Sequence, residues 1–360
     1  MRQIKNILIN TIGAAGLFAL AALTSCVEEI DLESLRPDPT LVVNCVAITG
    51  EPLAASVSRT WFFTDDHPNV TLDKAEVKLF VNGAFTERLR FQEGDEAFNT
   101  RGYFKSDFIP AQGDRIRVEA SYPEYGLASA ETVVPEPAQV LKAGVTYASA
   151  GGSFGSSHQN AIYQVTIKDD PAEANYYLLR MEEGVPVFDG IAKKYTGEYK
   201  WFPATPNYAT EPVFGQSLTA LDQVFGNDWM SGSGGKVFSD ELINGQEYTL
   251  RLTDEYYYRQ IQVAVVPDSM WIGQFEKEDF YLIPPMHLRV HLYAISAEYY
   301  RYLKVLQDKN TDSISNLLID GGLAEPIRVF SNIDGGVGIL GSCHVGMFET
   351  EIASSSHPDL

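Results

Sequence analysis

The residues best suited to contact a ligand cluster in one stretch of this 360-residue chain. Tyr195, Tyr199, Trp201, Phe202, Tyr208, Phe214, Phe225 and Trp229 fall between positions 195 and 229. Exposed Trp and Tyr stack on sugars or anchor protein interfaces, because each joins a large apolar face to a polar edge. Tyr199, Trp201, Tyr208 and Trp229 are the contact residues this pattern singles out. The same side chains serve equally well to plug loops and cover a core, and the pattern alone does not separate the two uses. A second constellation is His287, Arg289 and His291. On a regular strand these share one face, with Leu288, Val290 and Leu292 on the other. The two imidazoles then lie about 13 Å apart at ~3.3 Å per residue, too far for one metal ion. A polar stripe is expected there rather than a metal centre.

Other pairs and loops carry less. Glycosidase carboxyls sit ~5–9 Å apart across a cleft, whereas adjacent strand residues point to opposite faces. Asp65-Asp66 and Asp169-Asp170 therefore read as turn formers beside proline. Asn332-Ile333-Asp334-Gly335-Gly336-Val337-Gly338 places three glycines within four positions. Such a turn permits close backbone approach and could cradle an anion, but no helix follows to make it a phosphate loop. A tight structural turn is the expectation. There is no Gly-x-Ser-x-Gly elbow and no CxxC, and the acids lack EF-hand spacing. The residues thus assign no catalytic site, no metal and no cofactor.

Residues 1–25 point to an address. Arg2 and Lys5 form a basic start, and no acid precedes Glu28. An apolar run from Ile7 to Leu23 is broken by Asn10, Thr11 and Gly13, and falls short of a confident spanning helix of ~20 residues. It ends in Leu23-Thr24-Ser25-Cys26. Basic, apolar and small-residue regions in that order are the parts of an export signal. The ending resembles a bacterial lipobox, cleaved before the Cys, so that Cys26 would carry a diacylglycerol and a further acyl chain (palmitate and its like). Each buried methylene contributes about 0.8 kcal/mol, and several chains hold a protein on a bilayer where one barely does. The bland alternative is an ordinary signal peptide or anchor helix. Glu28, Glu29, Asp31 and Glu33 follow at once, and residues 26–37 read as an acidic tether.

The whole chain carries 27 basic and 48 acidic residues, a formal charge of −21. That excludes nucleic-acid binding through a basic surface, which needs Lys and Arg to displace phosphate counterions. At 45% hydrophobic residues, the chain has ample material for a large core. Cys45 and Cys343 remain after Cys26; a disulfide between them is open in an oxidising compartment, and two separate buried thiols are the favoured reading.

The elements that position these residues read as strands. From residue 38 to residue 137, short alternating runs are separated by turns. The run Glu76–Val81 meets Ala84–Leu89 across Asn82-Gly83, the strongest short hairpin signal. About seven strands in ~100 residues predict an immunoglobulin-like β-sandwich. Val134-Pro135-Glu136-Pro137 reads as a stiff boundary, since proline cannot donate to a sheet. Residues 138–360 read as a larger β-rich domain, with strands near Tyr163–Ile167, Tyr176–Met181, Gln246–Leu252, Gln260–Val266, His287–Leu292 and Val345–Ile352. One helix is clear: Ser296 can cap it, and Tyr299, Leu303 and Leu306 recur at helical spacing. Residues 186–238 have weak periodicity and read as long loops or an insertion. The fold class is therefore mainly β.

Several of these segments resemble the Bacteroidetes outer-membrane lipoprotein family known as domain of unknown function 4249. The resemblance is carried by the lipobox at Cys26, Ser58-Arg59-Thr60, Ala75-Glu76-Val77, Gly102-Tyr103-Phe104, Tyr299-Tyr300-Arg301-Tyr302-Leu303 and Ser331 to Gly338. It implies a lipid anchor, an N-terminal β-sandwich and a place beside a TonB-dependent outer-membrane transporter. The acidic start after Cys26 resembles the surface-export signal of such lipoproteins, implying a body that faces the cell exterior. The family assigns no catalytic residues. The expectation is a non-enzymatic binding or accessory subunit of a nutrient transporter, with an adhesion or matrix-binding lipoprotein as the alternative.

Overall fold

A computed structural model of the chain describes residues 34, 36–62, 64–65, 70–94, 101–149, 159–189, 192, 194–215, 235–257, 263–265, 284–311 and 329–352. Cys26 and Trp229 lie outside the described residues, as do Asp66, His67, His158 and Phe225. The described residues within Met1–Asp38 and Trp61–Pro68 belong to a small unit of their own. In it the Arg36 guanidinium pairs with Asp65, bonds Thr64 Oγ1 at 3.0 Å and lies 5.0 Å over the Phe62 ring.

The body comprises Pro39–Thr60 and Asn69–Leu360. Its first strands are β1 (Leu41–Ile48), β2 (Ala54–Arg59), β3 (Glu76–Val81), β4 (Ala84–Arg88), β5 (Arg90–Gln92), β6 (Tyr103–Lys105), β7 (Arg115–Tyr122) and β8 (Gly126–Val133). Then come β9 (Gln139–Ser149), β10 (Gln159–Lys168), β11 (Tyr176–Asp189), β12 (Lys194–Pro203), the short α1 (Pro212–Gly215), β13 (Gly235–Ser239), β14 (Glu247–Tyr257) and β15 (Val263–Val265). The chain ends with β16 (Met286–Ile295), α2 (Ala297–Thr311) and β17 (Val337–Ile352). The mainly β reading holds, with one long helix among the described residues.

The described strands make three sheets. A ten-stranded sheet runs β12-β11-β16-β17-β1-β2-β6-β5, with β13 and β15 also on β11. A four-stranded sheet, β4-β3-β7-β8, covers its β1–β2–β6 end. A three-stranded sheet, β14-β10-β9, covers its β11–β16–β17 end. Each layer pair closes over its own core. Leu41, Val43, Val57, Val77, Leu79, Ile116 and Val118 fill the first. Tyr163, Val165, Leu179, Met181, Leu250, Leu288, Val290 and Leu292 fill the second. At Asn82-Gly83 the backbone turns with φ of 52° and 83°, the twist a two-residue hairpin needs.

β17 joins the two ends. Val337 to Cys343 pair in parallel with Val42 to Ile48 of β1, and Cys343 to Ile352 pair antiparallel with Ile295 to Met286 of β16. The strand begins at Val337, earlier than the Val345 expected from sequence. Ile339 to Cys343 are all buried, so that stretch shows no alternation to read. A similar correction applies to residues 186–203. Of these, Pro186–Asp189 end β11 and Lys194–Pro203 form β12, paired antiparallel rather than looped. Residues Glu183 to Pro186 are buried without a break, and a register shift falls between Pro186 and Phe188, so both covering and bulge hide the period.

Cys45 and Cys343 are free and buried. In the parallel pair, Cys45 stands opposite Leu340 and Cys343 opposite Ile48. Cys45 belongs to the first core, while Cys343 packs on the other side of the sheet with Ile48, Tyr299 and Leu303. Strand neighbours at odd spacing face opposite ways, so the two thiols point away from each other and cannot bridge. Burial pushes both thiols up to about 12, with Glu51 adding to the effect at Cys343.

Candidate functional site

The outer face of the ten-stranded sheet carries the polar stripe. Along β16, Leu288, Val290 and Leu292 point into the core while His287, Arg289, His291 and Tyr293 point out. Register then decides which neighbours they meet. Gly184 of β11 stands between Trp201 and His287, and Glu351 lies beyond His287. On the next outward rung, Glu182, Arg289 and Glu349 stand in line, and on the next, Arg180 and His291.

These side chains hold one another. Arg289 donates through Nε and a terminal nitrogen to Glu349 Oε2 at 3.0 and 2.8 Å. His287 Nδ1 lies 2.9 Å from the other Glu349 oxygen. The Arg289 guanidinium also stacks 3.5 Å from the Trp201 ring centroid. Tyr199 sets its ring 4.5 Å from His287 and donates its hydroxyl to the Pro285 carbonyl at 3.2 Å. A second group repeats the first: Glu182 accepts from Arg180 at 2.8 Å and pairs with His291 Nε2 at 3.2 Å. His291 stacks on Tyr293 at 6.0 Å. The stripe is partly open, the side chains of Arg289, His287 and Glu349 being 26%, 21% and 32% exposed.

Two shifts follow from this packing. Burial alone would raise the Glu349 carboxyl, but hydrogen bonds and charge from Arg289 and His287 outweigh it and hold it below the usual carboxylate range. Burial raises Tyr199, and the charges of Glu351 and Glu349 raise it further. The glycine at 184 is a steric requirement: a Cβ there would come within 2.9 Å of the Trp201 benzo ring. A small residue on β11 lets the indole lie down across the sheet toward Arg289.

Of the four contact residues expected from sequence, the structure brings Tyr199 and Trp201 together with the β16 stripe. Tyr208 is only 5% exposed and packs edge-on against Phe214 at 5.0 Å, so it lines the second core. Sequence reasoning missed Glu182, Arg180 and Glu349 as members of the stripe. Their signal was the alternation of charge at Arg180 and Glu182 and at Glu349 and Glu351, outward positions whose partners depend on strand order.

The other constellations fall into structural places. Gly335 and Gly338 have φ of 73° and 120°, and a Cβ would meet the Leu127 carbonyl at 2.3 Å or the Val43 carbonyl at 2.1 Å. Asp334 exchanges backbone hydrogen bonds with Ser129 at 2.9 and 2.8 Å, and Asn332 brackets Leu340 with its amide at 2.9 and 3.0 Å. The turn locks β17 against β1 and β8. Asp169 is buried, accepting from the Tyr177 hydroxyl at 2.5 Å and the Gly245 amide at 2.7 Å. Burial raises its carboxyl against those two bonds, and Asp240 and Asp170 raise it further. It faces inward as a turn-anchoring group. A cleft of about 760 Å³ opens beside the start of α2, lined by Arg115, Glu131, Asp170, Tyr176 and Glu298 among others. Arg115 is already paired with Glu131 at 2.7 Å. The cleft is bordered by a buried hydroxyl chain in which Ser342 donates to the Val133 carbonyl at 2.7 Å and lies 3.1 Å from Thr132 Oγ1.

A family model described as Domain of unknown function (DUF4249) matches residues 27–349. The chain belongs to this family. The matched span takes in the glycine turn, the stripe as far as Glu349 and all but Ile352 of the two cores of this DUF4249 chain. No curated protein matches it.

Proposed function

We propose that this DUF4249 chain is a surface-exposed lipoprotein of the Bacteroidetes outer membrane, acylated at Cys26. In this reading it is a non-enzymatic binding or accessory subunit of a TonB-dependent nutrient transporter. The address is supported by the order of a basic start, an apolar run, Leu23-Thr24-Ser25-Cys26 and an acidic tether. The binding role is supported by one observation above all: the aromatic and charged stripe is fixed on a rigid sheet before any ligand arrives. Trp201, Tyr199 and Arg289 are each held by neighbours, so little side-chain entropy remains to be lost on binding.

Affinity purification of tagged chain from detergent-solubilised native membranes tests the partner. An outer-membrane barrel should co-purify in near-stoichiometric amount, and its absence refutes the transporter role. Cys26→Ser tests the address separately, since the variant should be recovered without acyl chains in the soluble periplasmic fraction. Continued membrane attachment would refute it.

A further inference from the structure

We infer that the stripe centred on Trp201 and Arg289 is a binding face for neutral saccharides. The inference rests on the reading above that this face is the one that binds. Its first support is chemical complementarity. A sugar hydroxyl donates and accepts at once, so it fits a surface where donors and acceptors alternate at short range. Each glutamate here takes one arginine and one histidine. When His287 donates from Nδ1 to Glu349, its Nε2 is left as an acceptor; when His291 donates from Nε2 to Glu182, its Nδ1 is left likewise. Each guanidinium keeps further N–H donors beyond those given to its glutamate. Two donor–acceptor sets thus stand on neighbouring rungs of one sheet face.

The second support is the aromatic frame. Tyr199 and Trp201 flank one set and Tyr293 flanks the other. Tyr and Trp supply the apolar plane against which the C–H face of a pyranose packs. The third is charge. On the stripe Arg180 and Arg289 face Glu182, Glu349 and Glu351, so no positive charge is in excess, while the chain as a whole carries −21. Such a stripe on an acidic body disfavours anionic ligands, and the choice of neutral ones rests on the hydroxyl and aromatic complementarity above. The partial exposure of the set, 17% for His291 and Glu182 up to 43% for Arg180, suits a shallow face that reads the side of an extended chain.

The test uses the full mature chain in detergent on a printed array of neutral gluco-, manno-, galacto-, xylo- and arabino-oligosaccharides. Retention on at least one series is expected. Trp201→Ala should weaken it at least tenfold, and Arg289→Lys, which keeps charge but loses the planar fork, several-fold. Trp201→Phe keeps an aromatic plane and should fall between wild type and alanine, which guards against a folding artefact. Phe85→Ala, on the separate β4 strand, should bind as wild type. No retention on any series, unchanged retention in both stripe variants, or equal loss in Phe85→Ala would each overturn the inference. Failure here with an intact barrel co-purification removes the saccharide class alone; sugar retention without a barrel removes only the transporter.

Discussion

Glycine at position 184 is where a single atom governs the stripe. A methyl group there would press into Trp201 at 2.9 Å. Gly184→Ala should displace the indole, break its stacking on Arg289 and lower stability by ~1–3 kcal/mol, the usual range for overpacking. A shift in tryptophan emission together with a lower Tm checks it. Glu349 sets the acid side of the same site. Because Arg289 and His287 hold its folded-state carboxyl below the ordinary range, its stabilising contribution is present above that range and fades as pH falls through the folded value. Melting curves of Glu349→Gln should therefore converge with wild type as the medium is acidified toward pH 3. The thiols act at the other end of the scale. Burial lifts Cys45 and Cys343 to about 12, so the unfolded chain forms thiolates first and stability falls as pH climbs above the ordinary thiol range. Thiol reagents at pH 8 should leave both cysteines unlabelled in the native protein and label them fully in denaturant.

Among elements, the turn before β17 and the strand itself carry the most consequence. Gly338 combines φ of 120° with a carbonyl 2.1 Å from any Cβ. Gly338→Ala has no relaxed solution there and should cost at least ~2 kcal/mol or prevent folding, read from chemical denaturation midpoints. Which elements could be read from sequence follows from their surroundings. β1, β7 and β16 have one covered face, and their burial alternates residue by residue, so period-two patterning revealed them. The Tyr176–Glu182 half of β11 alternates likewise, whereas Glu183–Pro186 and the first half of β17 are covered on both faces and lost that period. The stripe was half visible for the same reason. His287, Arg289 and His291 shared a face by spacing alone, whereas the pairing of Arg289 with Glu349 spans 60 positions and depends on strand order no local pattern encodes. Tyr208 went the other way, because aromatic content does not tell a core ring from an exposed one.

At the scale of the molecule, two cores share one sheet. Apart from Ile333 and Leu340, the buried residues of the first core precede Pro137 and those of the second follow it, and hydrogen bonding crosses the divide too, since β17 supplies a rung to each. A chain ending before Val337 would leave the β1 edge bare and the first core open. Such a truncation should be insoluble or molten, seen as loss of near-ultraviolet circular dichroism and poor recovery. The intact chain should refold slowly, because Val42 must find Val337 across nearly its whole length.

The same stitching decides how the body answers a pull. Any tension arriving through residues N-terminal to Pro39 enters at β1, an interior strand clamped by antiparallel β2 on one side and parallel β17 on the other. Traction along β1 loads those rungs in shear, so many must rupture together rather than unzip one by one.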